Sequence, residues 1–383
     1  MTAISNSVEI THDELKLFIK EAWETKLSLN LTGTVGIGKS VAVREQAELI
    51  QQKDCHDREF IDWNRVDKAT KKKVIANPDK YFVFMDIRLS QFDATDLKGI
   101  PKIDAEEVVE WLIQNWLYCL TNEKICGIVF FDEMNLSPPS VQASAYQIIR
   151  DRCMGDVKLG DNVAIISAGN SIDDRANVYE MAKPLCNRFI HATLLPPDVE
   201  SWTDWALTHN VDNRIIAFLQ FRPNRLFDFQ PDSPDNAFPT PRAWAEYVNK
   251  LITGKTHDNP IFQKLVASAV GTGTAVEFTA FQKLKETIDF KQILEKPELI
   301  QQIEQIDVKY SLISIVEEWF DKHHDKNDCV KICELVSHMP PEFAILTLKM
   351  AYKKHQRAMK NNFGKISLWK NQLAKEYGKY LAE

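Results

Sequence analysis

No apolar run in this sequence approaches the roughly 20 residues that a membrane span needs. Its opening stretch, Met1 to Glu9, has neither a basic n-region nor an apolar h-region, so no signal peptide is expected. Positive charge is in deficit too. A net charge of −7 and a pI near 5.8 argue against wholesale coating of nucleic acid, while leaving room for a local basic patch. Paired cysteines are also missing. The seven cysteines (Cys55, Cys119, Cys126, Cys153, Cys186, Cys329, Cys333) are odd in number and scattered, several of them in apolar runs. That pattern reads as reduced thiols in a cytoplasmic protein. Zinc-type spacing is absent as well: Cys329 and Cys333 stand at i, i+4, and with His323 and His324 they make helix-face thiols beside a surface His pair. Neither an internal repeat nor a low-complexity tract is present.

What the chain has is length and apolar content. At 383 residues and 44% hydrophobic it can bury one sizeable domain and a smaller one. Its organising stretch runs from Leu27 to Ser40. The alternation Leu27, Leu29, Leu31 predicts a strand, which feeds into Gly33-Thr34-Val35-Gly36-Ile37-Gly38-Lys39-Ser40, and Ser40 to Gln52 predicts a helix. Strand, Gly-x-x-x-x-Gly-Lys-Ser loop and helix together are the context of a phosphate-binding loop. Glycines let successive N–H groups point at a phosphate, and the helix N-terminus adds partial positive charge. Lys39 is placed to reach the β- and γ-phosphates of a nucleoside triphosphate, and the Ser40 hydroxyl to ligate Mg²⁺.

Upstream, Thr11-His12-Asp13-Glu14 is a capping box ahead of a short helix. Downstream, Lys53 to Lys80 is a charged surface excursion in which Lys71-Lys72-Lys73 reads as a solvated helix face. Tyr81–Leu89, Gly127–Phe131, Val163–Ala168 and Phe189–Leu195 are the further apolar strands, with helices predicted over Ala105–Leu120 and Pro138–Ile149 and a β-hairpin over Arg150–Asn162. Strands alternating with helices predict a doubly wound parallel sheet of five strands, with ligands at the strand carboxyl ends. From Pro196 onward helical patterns dominate: Val199–Leu207, Asn213–Phe221, Arg242–Ile252, Ile261–Val270, Ala275–Leu284, Pro297–Val316 and Pro341–Met359. The expected division is 1–196 for the nucleotide-binding domain, 197–285 for a helical lid and 286–383 for a helical extension.

The acidic pair Asp132-Glu133 ends a buried strand. Its first carboxylate can hold Mg²⁺ through water, and its second can accept a proton from water attacking the γ-phosphate. Asn170 ends the next strand on the same rim, where a neutral amide can orient that water. Two decoys fall away. Asp96-Leu97-Lys98-Gly99 and Asn64-Arg65-Val66-Asp67 imitate GTPase motifs, but their order is reversed and the second has Arg for Lys.

Taken together, these segments resemble those of AAA+ ATPases of the MoxR-like kind. The resemblance is carried, in order, by GTVGIGKS from Gly33, DIRLSQFDATDLKGIP from Asp86 and GIVFFDEMN from Gly127. It continues through the hairpin after Arg150-Asp151-Arg152, IISAGN, PLCNRF and PTPRAW. It implies an AAA+ α/β core with an α-helical lid, ATP as fuel and Mg²⁺ as cofactor. It further implies that Arg188 is an arginine finger serving a neighbouring subunit, that Arg242 is a sensor-2 arginine at the start of a lid helix, and that Arg175 is a second interface arginine. The hairpin matches the pre-sensor-1 insert of that clade, and the segment around Asp96–Gly99 its helix-2 insert, both pore-facing. The partners implied are further copies of the chain in a hexameric ring and a protein client, with a von Willebrand factor A (VWA) domain protein as the family's usual one. Two rivals stand beside this reading. One is a nucleic-acid motor or restriction-type NTPase subunit, for which Arg150, Arg152 and Lys158 are the basic residues. The other is a small-molecule P-loop kinase.

Overall fold

The computed structural model describes residues 8–103, 109–154, 157–171, 174, 179–254, 260–323 and 325–381. The chain divides into two compact units, Met1–Pro196 and Pro197–Glu383.

The first unit is built on a seven-stranded sheet. Its strands are β1 (Val8–Ile10), β2 (Leu29–Gly33), β3 (Glu59–Asp62), β4 (Tyr81–Arg88), β7 (Cys126–Asp132), β10 (Val163–Asn170) and β11 (Ile190–Leu194). Two antiparallel pairs lie outside it, β5 (Ile100–Ile103) with β6 (Val109–Leu112), and β8 (Cys153–Met154) with β9 (Val157–Lys158). The order across the sheet is β1-β11-β2-β10-β7-β4-β3, parallel throughout. The five strands expected from sequence are its contiguous centre, and β1 and β3 extend it at the two edges. Both faces are covered, as parallel strands require. Along β4, Val83, Met85 and Ile87 join Val129, Phe131 and Ile165 against Val74, Leu117 and Ile148 of the helices on one face. Phe82 and Phe84 alternate to the other side, where Phe82 meets Trp23 of the helix His12–Thr25 at 5.3 Å between ring centres. That helix begins with the expected capping box, in which the Glu14 N–H donates to Thr11 Oγ1 and the Thr11 N–H donates back to Glu14 Oε2.

One expected helix is corrected. Ala105–Leu120 is not a single helix: β5 and β6 form a ribbon, and of the described residues in that range Asn115–Leu120 are the helical ones. Trp111 and Leu112 satisfy a helical spacing and a strand equally well, and the turn at Gly99 decides the outcome. Gly99 has φ +91°, and a Cβ there would lie 2.4 Å from the Leu112 carbonyl oxygen, so the ribbon closes over a bare glycine. Residues 104–108 lie outside the described set.

In the second unit a single apolar core runs from Trp202 to Tyr377. Helices form over Val199–Thr208, Asn213–Phe221, Phe262–Val270, Thr272–Lys283, Ile306–Lys322 and Pro341–Asn362. The pattern expected as one helix over Pro297–Val316 breaks into a 3₁₀ segment, Pro297–Gln302, and the helix Ile306–Lys322. Phe290–Glu295 adds a helix that the sequence pattern does not announce, and Lys326–Ser337 is the helix that carries Cys329 and Cys333. Cys329 and Cys333 are buried in this core, and burial pushes the Cys333 thiol up to about 12.

Candidate active site

Parallel sheets bind ligands at the carboxyl ends of their strands, and here the expected residues gather at that rim. Gly33, last in β2, is paired in register with Asn170, last in β10. Arg88, last in β4, is paired with Asp132, last in β7. The loop between Gly33 and the helix Lys39–Asp54 turns through two left-handed glycines, Gly36 (φ 74°) and Gly38 (φ 94°). Gly33 is needed for a different reason. A Cβ there would stand 2.8 Å from the Leu194 carbonyl oxygen, so the loop packs onto β11 only because the side chain is missing.

Lys39 is buried, and its ammonium lies inside the loop. It donates to the carbonyls of Gly33 (2.8 Å) and Thr34 (2.9 Å) and to Asn170 Oδ1 (3.3 Å). Ser40 Oγ donates to Asp132 Oδ2 at 2.7 Å, so the two residues expected to hold Mg²⁺ already converge. Both offer hard oxygen donors, the kind Mg²⁺ prefers, and the arrangement fits that ion. Glu133 follows directly. Its backbone is left-handed (φ 54°), its N–H donates to Asp132 Oδ1 (2.9 Å), and its Oε2 accepts from Ser90 Oγ (2.7 Å). A non-glycine residue in that region is strained, and such strain collects at functional positions.

Several residues of the site escape a reading of the sequence. Asn135 clamps the backbone of Asn170 from both sides, Nδ2 donating to its carbonyl (2.7 Å) and Oδ1 accepting from its N–H (3.1 Å). Gly169 makes room for that clamp, since a Cβ there would meet Asn135 Oδ1 at 2.6 Å. Asp86, on β4, carries a buried carboxyl oxygen with no partner among the described residues. Burial, followed by the charge of Asp132, raises its pKa to about 6 against the pull of Arg88. Asp174 is likewise raised by burial, opposed by the Thr34 hydroxyl and the Lys39 charge. The sequence signal for Asp86 is its place inside a strand otherwise apolar on both faces.

Arg188 is not part of this cluster. It follows the short helix Lys183–Cys186, is exposed, and donates through Nε to Tyr146 Oη at 3.4 Å. Arg242 belongs to the second unit. It is exposed at the start of the π-helical turn Ala243–Val248, which fully buried Trp244 anchors by donating from Nε1 to the Arg225 carbonyl at 2.7 Å. Turns of that kind recur at functional sites. Arg175 lies outside the described residues. Of the basic residues near the hairpin, Arg152 donates to the carbonyls of Gly160 (2.9 Å) and Val163 (2.7 Å), and Arg150 pairs with Asp151 at 3.2 Å. The decoy residues are structural: Asp67 caps the helix Lys68–Ala76, and Asn64 donates to the Asp86 carbonyl at 2.7 Å.

The sheet order, the glycine-turned loop and the carboxylates facing it define an α/β fold of the P-loop class. No family model and no curated protein matches the chain. Among solved structures it is similar to a candidate ATPase of Cytophaga hutchinsonii, with 15% identity and a TM-score of 0.29. That alignment covers 48% of this chain and 45% of the other, less than half of that protein's length. It is also similar to NtrX of Brucella abortus in complex with ADP (12% identity, 96% of this chain and 68% of that one, TM-score 0.37). A third likeness is to a mutant of Thermotoga maritima RuvB (13% identity, 75% of this chain and 74% of that one, TM-score 0.29). At these scores the reading of the site rests on its own geometry. No helix among the described residues is long and apolar enough to cross a membrane.

Proposed function

We propose that this chain is a ring-forming AAA+ ATPase of the MoxR-like kind, which couples ATP hydrolysis to remodelling of a protein client. The observation that carries the reading is the Ser40–Asp132 contact of 2.7 Å, whose two partners are the chain neighbours of Lys39 and Glu133. The loop from Gly33 to Ser40 binds the phosphates through its N–H groups and the Lys39 ammonium. Ser40 and Asp132 would hold Mg²⁺, which would supply charge neutralisation for the phosphates. Glu133 takes the proton of the attacking water, and Asn170 orients that water. Arg188 reaches the site of the next subunit, where its exposed position and its loose 3.4 Å rest on Tyr146 suit it to act. Arg242 senses the nucleotide from a lid spanning 197–285, backed by the extension 286–383, which shares its core. A VWA-domain protein is the first client to test. The nucleic-acid reading has little support here, because Arg150 and Arg152 are engaged within the chain.

The test is Mg²⁺-dependent ATPase activity and nucleotide affinity of the full chain against Lys39→Ala. Losing a charged hydrogen-bond donor costs about 1.5–3 kcal/mol, or roughly 10- to 100-fold in affinity. Wild-type turnover with unchanged binding in Lys39→Ala would remove the loop from the reaction.

A further inference from the structure

Cys55 and Cys126 stand apart in sequence, yet their sulfurs are 3.4 Å apart, one donating to the other. Cys55 is the C-cap of the helix Lys39–Asp54, the helix that begins at the phosphate loop. Cys126 opens β7, the strand that ends at Asp132. The pair thus joins the far ends of the two elements whose near ends carry Lys39, Ser40 and Asp132.

The surroundings suit chemistry at Cys55. Cys55 is half-buried, whereas Cys126 is enclosed. Its turn is held in place: the Cys55 N–H donates to the Gln51 carbonyl (3.1 Å), Gln51 Nε2 donates to the Arg58 carbonyl (2.5 Å), and the Arg58 N–H donates to the Cys55 carbonyl (2.9 Å). Two cations lie near enough to act on the sulfurs. The Lys26 ammonium acts on both, and the Arg58 guanidinium acts on Cys126 while donating to the neighbouring Lys124 carbonyl at 2.9 Å. Both cations pull the Cys126 thiol down, against the larger effect of its burial. Burial and the neighbouring sulfur push the Cys126 thiol up to about 12, and Cys55, the more exposed of the two, is the sulfur a peroxide reaches first.

We propose that Cys55 and Cys126 form a reversible redox modification site, closed to a disulfide by a peroxide and reopened by a thiol reductant. The Cys55 thiolate attacks one peroxide oxygen, the O–O bond breaks, and the released hydroxide takes a proton to become water. Cys55 is left as the sulfenic acid. The Cys126 sulfur then attacks the Cys55 sulfur, the S–O bond breaks, and the departing hydroxide leaves as water with the Cys126 proton. Two electrons pass from the two thiols to one peroxide. The sulfurs close from 3.4 Å to the roughly 2.05 Å of a disulfide.

The experiment treats the full chain with hydrogen peroxide, blocks remaining thiols under denaturing conditions and maps the peptides. Two of the seven thiols are expected to disappear, with a linked peptide joining Cys55 to Cys126, and dithiothreitol should restore both. In Cys126→Ala the sulfenic acid at Cys55 should persist and be trapped by dimedone, whereas in the parent it should be transient. In Cys55→Ser, a change at a half-buried helix end that avoids any folding defect from the core variant, Cys126 should stay reduced. The proposal is overturned if all seven thiols survive, if the linked peptide joins another pair, or if Cys126 oxidises as fast in Cys55→Ser as in the parent.

Discussion

At the residue scale the site makes two separable predictions. Glu133 is the proposed base, and its side chain accepts from Ser90 Oγ while its N–H donates to its own neighbour Asp132. Glu133→Gln keeps the shape and the hydrogen bond from Ser90 but cannot take a proton. Hydrolysis should fall by about 10²–10⁴-fold while ATP affinity holds, measured by phosphate release and by equilibrium binding. Turnover near that of the parent would remove Glu133 from the role of base. Asp86 yields a pH prediction. Its folded pKa of about 6 lies above the usual 3.8, so between those values the folded chain binds a proton that the unfolded chain has lost. Stability therefore falls as pH rises through that window, and the full penalty stands above it. Asp86→Asn cannot ionise. It should be more stable than the parent at pH 7, with the difference vanishing near pH 4, as read by denaturant melts across that range. A difference that does not vary with pH would mean that the Asp86 charge carries no such penalty.

At the scale of elements, legibility follows signal strength. Of the five central strands, β4, β7 and β10 are visible in the sequence because they are apolar on both faces, β2 and β11 because their apolar residues alternate, and the loop because its glycines and its Lys-Ser pair fall at fixed spacing. β1 and β3 are not visible: each is short, and Glu59-Phe60-Ile61-Asp62 has acids at both ends, as an edge strand tolerates. The ribbon β5–β6 reads as helix because Trp111 and Leu112 fit either period. Lys39, Ser40, Asp132, Glu133 and Asn170 are legible one by one. Their mutual contacts depend on pairing across strands far apart in sequence, and so Asn135 and Ser90 carry no signal of their own. The same pairing predicts a weak point. Gly127 of β7 lies opposite Val83 of β4, and a Cβ on Gly127 would fall 2.0 Å from the Val83 carbonyl oxygen, on backbone that cannot rotate away. Gly127→Ala should push β4 from β7 and cost about 1–3 kcal/mol or more, seen as a lowered urea midpoint. Since β7 also carries Asp132, ATPase activity should fall with it. An unchanged midpoint would show that the two strands can move apart freely.

At the scale of the whole molecule, the question is whether one chain is a complete enzyme. The rim of the sheet supplies Lys39, Ser40, Asp132, Glu133 and Asn170, whereas Arg188 donates to Tyr146. If Arg188 completes the site of a neighbour, activity per subunit must rise with concentration, and Arg188→Ala must be nearly inactive while still binding ATP. An arginine finger contributes on the order of 10³–10⁵ in rate, or about 4–7 kcal/mol of barrier. Loss of a surface arginine that serves only its own chain has no reason to reach that size. Mixing Arg188→Ala with Glu133→Gln subunits separates the cases. The first retains Glu133 and the second retains Arg188, so an interface between them holds one whole site although neither chain is whole. Partial recovery of phosphate release on mixing is expected, scaling with the fraction of mixed interfaces. If mixed assemblies form, as shown by differently tagged subunits purifying together, and yet stay inactive, Arg188 acts within its own chain and the proposed ring loses its main chemical reason.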